Sequence, residues 1–198
     1  MESRRLGSTG LRVSSVALGT MTWGRDTDEH EAAEQLKVFL DAGGSLLDTA
    51  ATYSAGGTLD IIGGLLREEV SRDEIVLAAR SGVSQGRLDA SRGALLASLD
   101  ETLARLGTDH LDLWLVQAPD PGTPMRETAS TLARAVASGR VRYVGLANHA
   151  AWQVAQVATM LDGDPGLACA QTEYSLLNRR AETELFAATR SLGVGVVA

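Results

Sequence analysis

The chain changes its period again and again. Short runs rich in leucine, valine and alanine alternate with longer stretches in which apolar residues recur every three or four positions. A period of two fits a strand and a period of 3.6 fits a helix, so regular alternation predicts βα units around a parallel sheet. Extended runs are expected at 15–19, 45–50, 74–80, 110–117, 141–148, 166–174 and from 194 onward. Helices are expected at 28–42, 58–70, 89–106, 124–138, 150–161 and 181–192. Residues 4–13 read as a hairpin turning at Gly7-Ser8-Thr9-Gly10. Seven strands and six helices in this order predict an α/β fold, a (β/α)8 TIM barrel with an N-terminal β-hairpin, as one domain over 1–198. A complete barrel of this kind takes about 250 residues. The expectation is therefore an incomplete barrel of about seven strands, truncated or partly covered at its C-terminus.

Local signals support the alternation. Leu95, Leu96, Leu99, Leu103 and Leu106 form a stripe on one helix face, which reads as core. Thr58 is the expected N-cap of the second helix. Thr123 is the expected N-cap of the fourth, with Pro124 at the first helical position, where a missing N–H costs nothing. Trp114 and Trp152 read as packing residues and Cys169 as a small buried strand residue. Gly193 to Ala198 spells G-x-G-x-x-A, but it does not follow a strand and open a helix, so it is no dinucleotide fingerprint.

Composition narrows the function. Eighteen basic residues against 25 acidic give a formal charge of −7, which argues against a nucleic-acid partner. There is no apolar run long enough for a membrane span, and Met1 to Arg5 is not the start of a secretory signal. A single cysteine excludes an internal disulfide framework and fits the cytoplasm. Cys, His, Asp and Glu nowhere stand at metal-ligand spacing, so no metal is expected. Lys37 is the one lysine, and His30, His110 and His149 are the three histidines. Any chemistry that needs an ammonium or an imidazole has few positions to draw on.

In a (β/α) barrel, chemistry collects at the C-terminal ends of the strands. Those ends carry Thr20, Met21 and Trp23, then Asp48 with Tyr53 five residues on, then Arg80, Gln117, Asn148-His149, and the run from Gln171 to Tyr174. A carboxylate, a phenol and a cation at one mouth form an acid–base set. The cation favours phenolate and lowers the phenol's pKa, and the carboxylate holds the cation.

Six stretches carry a family likeness: RRLGSTGLRVSSVALGTMTWG, LLDTAATYSAGGTLDIIGGLL, EIVLAAR, LDETLARLGTDHLDLWLVQAPDPGTPMRET, GRVRYVGLANHAAW and QTEYSLLNRRAE. With them the chain resembles the aldo-keto reductases, in particular the bacterial and potassium-channel β-subunit-like branch. The resemblance implies an aldo-keto-reductase barrel that reduces small-molecule carbonyls with NADP(H) and needs no metal. It implies a catalytic tetrad of Asp, Tyr, Lys and His. Asp48 and Tyr53 match it; Arg80 stands at the lysine position and Gln117 at the histidine position. Arginine keeps the charge but is never deprotonated, so it cannot relay a proton. It serves either as a catalytic cation or as an ion-pair anchor for Asp48. Gln117 either orients a carbonyl oxygen through its amide or is a rim residue. The resemblance assigns Thr20, Met21, Asp48, Asn148 and Gln171 to the nicotinamide end of the cofactor. It assigns Trp23 and His149 to the substrate pocket, and it puts the remaining dinucleotide contacts after residue 198. The alternative function is a catalytically impaired relative that senses a nucleotide or binds a partner.

Overall fold

A computed structural model describes residues 1–84, 86–163 and 166–198. The hairpin strands β1 (Ser3–Arg5) and β2 (Arg12–Ser14) pair antiparallel. The alternation then runs β3 (Ala17–Gly19), α1 (Glu29–Asp41), β4 (Leu46–Ala50), α2 (Gly57–Glu68) and β5 (Val76–Ser81). A small antiparallel ribbon, β6 (Val83–Ser84) and β7 (Arg87–Leu88), follows β5. Next come α3 (Arg92–Leu106), β8 (Leu111–Val116), α4 (Met125–Ala137), β9 (Val141–Ala147), α5 (Ala151–Met160), β10 (Leu167–Gln171), α6 (Leu185–Leu192) and β11 (Gly195–Val197). Seven strands form one parallel sheet in the order β3-β4-β5-β8-β9-β10-β11, the (β/α) arrangement expected from the sequence.

Sequence chemistry sets the ends of these elements. Asp28 accepts from the Glu31 N–H at 2.9 Å and Glu31 reaches back to the Asp28 N–H at 3.3 Å, a capping box that starts α1. Ser91 caps α3, and Gly107 stops it in the left-handed conformation at φ 67°. Two expected caps are corrected. Gly56, not Thr58, precedes α2; Thr58 lies inside the helix and its hydroxyl donates to the Trp23 carbonyl at 2.8 Å. The fourth helix begins one residue late, at Met125, because the Thr123 hydroxyl is drawn to Asp120 Oδ2 at 2.6 Å. The run 166–174 is also shorter than expected. β10 ends at Gln171, because its neighbour β9 ends at Ala147 and Asn148 turns away at φ 60°. Trp152, expected to pack, is exposed.

The sheet has two faces with separate clusters. Leu47, Leu77, Ala79, Trp114, Val116, Val144 and Leu146 pack outward with the helices, including Leu95, Leu99, Leu103 and Leu106 of the stripe. Leu46, Ala78, Leu113, Leu115, Ala147 and Cys169 face inward. Leu6, Leu11 and Val13 of the hairpin join that inner cluster and close the bottom. The hairpin is tied at both ends of the sheet. The Ser8 N–H donates to the Gly193 carbonyl at 2.7 Å, and Ser14 Oγ accepts from Ser45 and Leu46 N–H at 3.0 and 3.1 Å.

Candidate active site

Register decides which side chains share the mouth. Asp48 is level with Ala78, and Ala50 with Arg80; Arg80 is level with Leu115, Gly145 with Cys169, and Ala147 with Gln171. Side chains alternate along a strand. Parity therefore sends Asp48, Arg80 and Gln171 to the inner face, above the plug of Leu46, Ala78, Leu113 and Cys169. The curl of the sheet does the rest. β4 and β10 are four strands apart, about 19 Å in a flat sheet at ~4.8 Å per step. Yet Gln171 Nε2 donates to Asp48 Oδ1 at 3.2 Å.

Four of the expected residues meet there. Arg80 Nη2 lies 2.9 Å from Asp48 Oδ2 and donates to the Tyr53 hydroxyl. Arg80 Nη1 donates to Gln171 Oε1 at 2.7 Å. The guanidinium carbon is 5.3 Å from the centre of the Tyr53 ring, so the cation also faces the π system. Asp48 and Arg80 are largely buried, at 15% and 13% side-chain exposure, whereas Tyr53 is half-buried. The tyrosine rides on a strained turn. Ser54 and Ala55 both hold left-handed backbone, at φ 48° and 52°, which costs non-glycine residues about 1–3 kcal/mol each. The turn is pinned by Ser54 Oγ and Thr58 Oγ1, both donating to the Trp23 carbonyl at 2.8 Å.

The electrostatics differ from the expected direction. Burial raises the Tyr53 phenol above its ordinary value; Arg80 pulls it back and Asp48 pushes it up. The phenol is thus held neutral, not tuned toward phenolate as the cation alone would imply. Burial also raises the Asp48 carboxyl, opposed by Arg80 and by the hydrogen bond from Gln171. Lowering of the phenol by a cation is real, but desolvation outweighs it here.

The other expected residues fall around this set. Thr20 is fully buried, and its hydroxyl donates to the Asp48 carbonyl at 3.0 Å. Met21 is exposed at the rim. Asn148 is exposed, with Nδ2 donating to the Gln117 carbonyl at 2.9 Å, and its own N–H donates to the Gln171 carbonyl at 2.8 Å. The Gln117 side chain stays outside the network, and its Oε1 is buried with no partner among the described residues. Trp23 presents no surface to a ligand: it is fully buried and its indole donates to Gln35 at 2.9 Å. It is a strut for the Tyr53 turn, not a pocket wall. His149 is buried, with Nδ1 on the Ala147 carbonyl at 2.8 Å, and burial lowers its pKa. It lines a cavity of about 560 Å³ with Asn148, Thr172 and Arg180, whose lining does not include Asp48, Tyr53 or Arg80. The contact that sequence reasoning missed is Gln171 on Arg80, made between residues 91 positions apart.

The profile of the Aldo/keto reductase family matches residues 15–198, nearly the whole chain. The chain belongs to the aldo/keto reductase family. Among the relatives of this aldo/keto reductase is the uncharacterized oxidoreductase YrpG of Bacillus subtilis, 40% identical over the whole chain and 65% of the relative. The human aflatoxin B1 aldehyde reductase member 2 is 34% identical over 92% of the chain and 51% of the relative. The L-glyceraldehyde 3-phosphate reductase of Escherichia coli is 32% identical over the whole chain and 60% of the relative. The chain thus spans between about half and two thirds of the length of these relatives. Its relatives are oxidoreductases, and no helix among its described residues is long and apolar enough to cross a membrane.

The family's nicotinamide cofactor can be set against the residues present. A nicotinamide carboxamide needs both a donor and an acceptor. Asn148 offers an exposed side-chain amide whose Oδ1 makes no bond to the described residues, at a strand end whose main chain is bonded to that of Gln171. The donor set fits that end of the cofactor.

Proposed function

We propose that this protein reduces the carbonyl group of small aldehydes or ketones with NADPH, with Tyr53 as the proton donor. The observation that carries the reading is the contact of Tyr53 with a cation that is itself paired to a buried carboxylate. A carbonyl that takes up hydride becomes an alkoxide and needs a proton at the same moment. A neutral phenol supplies it, and general acids of this kind contribute about 10²–10⁴-fold. The phenolate left behind gains the Arg80 charge at its oxygen, in a site where burial strengthens the attraction. Asp48 holds Arg80 in place. Arg80 holds its protons too tightly to pass one on, so Tyr53 is reprotonated by water. Gln117 orients the carbonyl oxygen through its amide. Met21, Asn148 and Gln171 hold the nicotinamide end, and Thr20, fully buried, supports them by fixing the Asp48 main chain. NADPH supplies the hydride when bound. The names of two relatives, both aldehyde-directed reductases, favour aldehydes over ketones. We read residues 1–198 as one barrel domain of a cytoplasmic enzyme.

The second reading is a nucleotide-sensing or partner-binding protein with little turnover. Arg80 and Gln117 at the lysine and histidine positions favour it. Incubation with NADPH carrying deuterium at C4 of the nicotinamide, and a panel of short aldehydes and ketones, separates the two. Mass spectrometry should find deuterium on the carbinol carbon of the product. NADPH binding without deuterium transfer to any panel member favours the sensor.

A further inference from the structure

Arg80, Asp48 and Gln171 close a ring of bonds across three strands, β5, β4 and β10. Arg80 Nη1 donates to Gln171 Oε1 at 2.7 Å, Gln171 Nε2 donates to Asp48 Oδ1 at 3.2 Å, and Asp48 Oδ2 accepts from Arg80 Nη2 at 2.9 Å. The partners decide which end of the amide is which. A guanidinium offers only donors, and an ionised carboxylate only acceptors, so the amide has one orientation that satisfies both. Arg80 Nε is buried with no partner among the described residues, so their hold on the plane of the guanidinium comes through its two terminal nitrogens. Nη2 already serves Asp48 and Tyr53. A fork held at one tip pivots, and a fork held at both does not.

We infer that Gln171 is a positioning residue whose amide locks the Arg80 guanidinium so that Nη2 stays on the Tyr53 oxygen. This role is additional to the nicotinamide contact proposed above, and it rests on the reading of Tyr53 and Arg80 as proton donor and cation. It belongs to arginine specifically. A lysine ammonium ends in one compact nitrogen and has no second arm to give to Gln171 while it serves Tyr53. Gln171 therefore acts through Arg80, and its effect on Tyr53 depends on which cation stands at position 80.

The test is the alkaline titration of the Tyr53 phenol by ultraviolet absorbance, without cofactor or substrate. It is run on the wild type, Gln171→Met, Arg80→Lys and the double variant, each against its own Tyr53→Phe counterpart. With Arg80 in place, Gln171→Met should raise the midpoint by about half a pH unit or more, because a loosened cation stabilises phenolate less. In the Arg80→Lys background the same substitution should move it by less than half of that shift. No shift with Arg80 present, or equal shifts in both backgrounds, overturns the inference. If circular dichroism shows Gln171→Met unfolded, Gln171→Asn replaces it. That amide is one methylene short of reaching Arg80 and Asp48 together, and the same outcomes decide. The titration needs no turnover. A protein that fails to reduce carbonyls but shows the coupling contradicts the proposed function and leaves this inference intact. One that turns over without the coupling does the reverse.

Discussion

At the scale of single residues, desolvation governs three groups. Tyr53 is held neutral by burial against the opposing pull of Arg80. Its folded-state pKa is above its unfolded value, so the folded chain binds the more protons in that window. Its contribution to stability is complete below about pH 10 and is lost as the pH rises through the folded value. Arg80→Met should move the Tyr53 titration further up, since the one group that lowers it is gone; a downward move by ultraviolet titration would contradict this. His149 has the opposite sign. Burial lowers it from 6.5, so the unfolded chain takes up the extra proton on acidification. Stability from His149 is present above about pH 6.5 and lost below it. Urea midpoints at pH 7.5 and 5 should therefore differ less in His149→Gln than in the wild type. Cys169 is buried, and burial with the nearby Asp48 charge pushes its thiol up to about 12. A disulfide reagent should leave the folded chain unmodified and react once urea unfolds it. Stoichiometric reaction in buffer would mean that the inner face of the sheet opens.

At the scale of elements, most starts and stops were legible because they are local chemistry. Asp28 with Glu31, Ser91 and Gly107 act within four residues of the helix ends they set. The misread ends are those where another partner wins the hydroxyl. Thr58 is taken by the Trp23 carbonyl, 35 positions away and outside any local window, whereas Thr123 is taken by Asp120 three positions back, a local competitor for the cap. The tail of 166–174 leaves the ladder after one further bond, from the Thr172 N–H to the Val197 carbonyl at 3.0 Å, because β9 turns away at Asn148. Trp152 faces solvent because the two buried residues of α5 are Val154 and Val157. The close fit of β9 against β10 gives a test at this scale. A Cβ at Gly145 would stand 2.7 Å from Cys169 Sγ and 2.9 Å from its carbonyl oxygen, and the latter cannot rotate away. Gly145→Ala should cost about 1–3 kcal/mol, the usual range for overpacking, read as a lower urea midpoint at unchanged slope.

At the scale of the whole molecule, the alternation of periods was enough for a parallel sheet with helices outside, because each unit buries its apolar face against its neighbour. Asp48, Tyr53, Arg80 and Gln171 were legible as members of one mouth, because strand ends in such a fold converge. Their bonding was not, because it depends on curl. Only the curl that closes four strand spacings brings Gln171 to Asp48, and three to Arg80. The direction of the Tyr53 shift was hidden for a related reason: burial is a property of the closed mouth, whereas the cation beside the phenol could be read from residue types. Trp23 shows the same limit, since a rim aromatic in the sequence is a buried strut in the fold. The proposed chemistry turns on the neutral Tyr53 phenol, with Arg80 at its oxygen, giving the proton in carbonyl reduction. The most direct measurement is kcat for NADPH-dependent reduction of an aldehyde by the protein and by Tyr53→Phe, a change that removes one hydroxyl and keeps the ring. A fall of about 10²–10⁴-fold is expected. Unchanged turnover in Tyr53→Phe would contradict it.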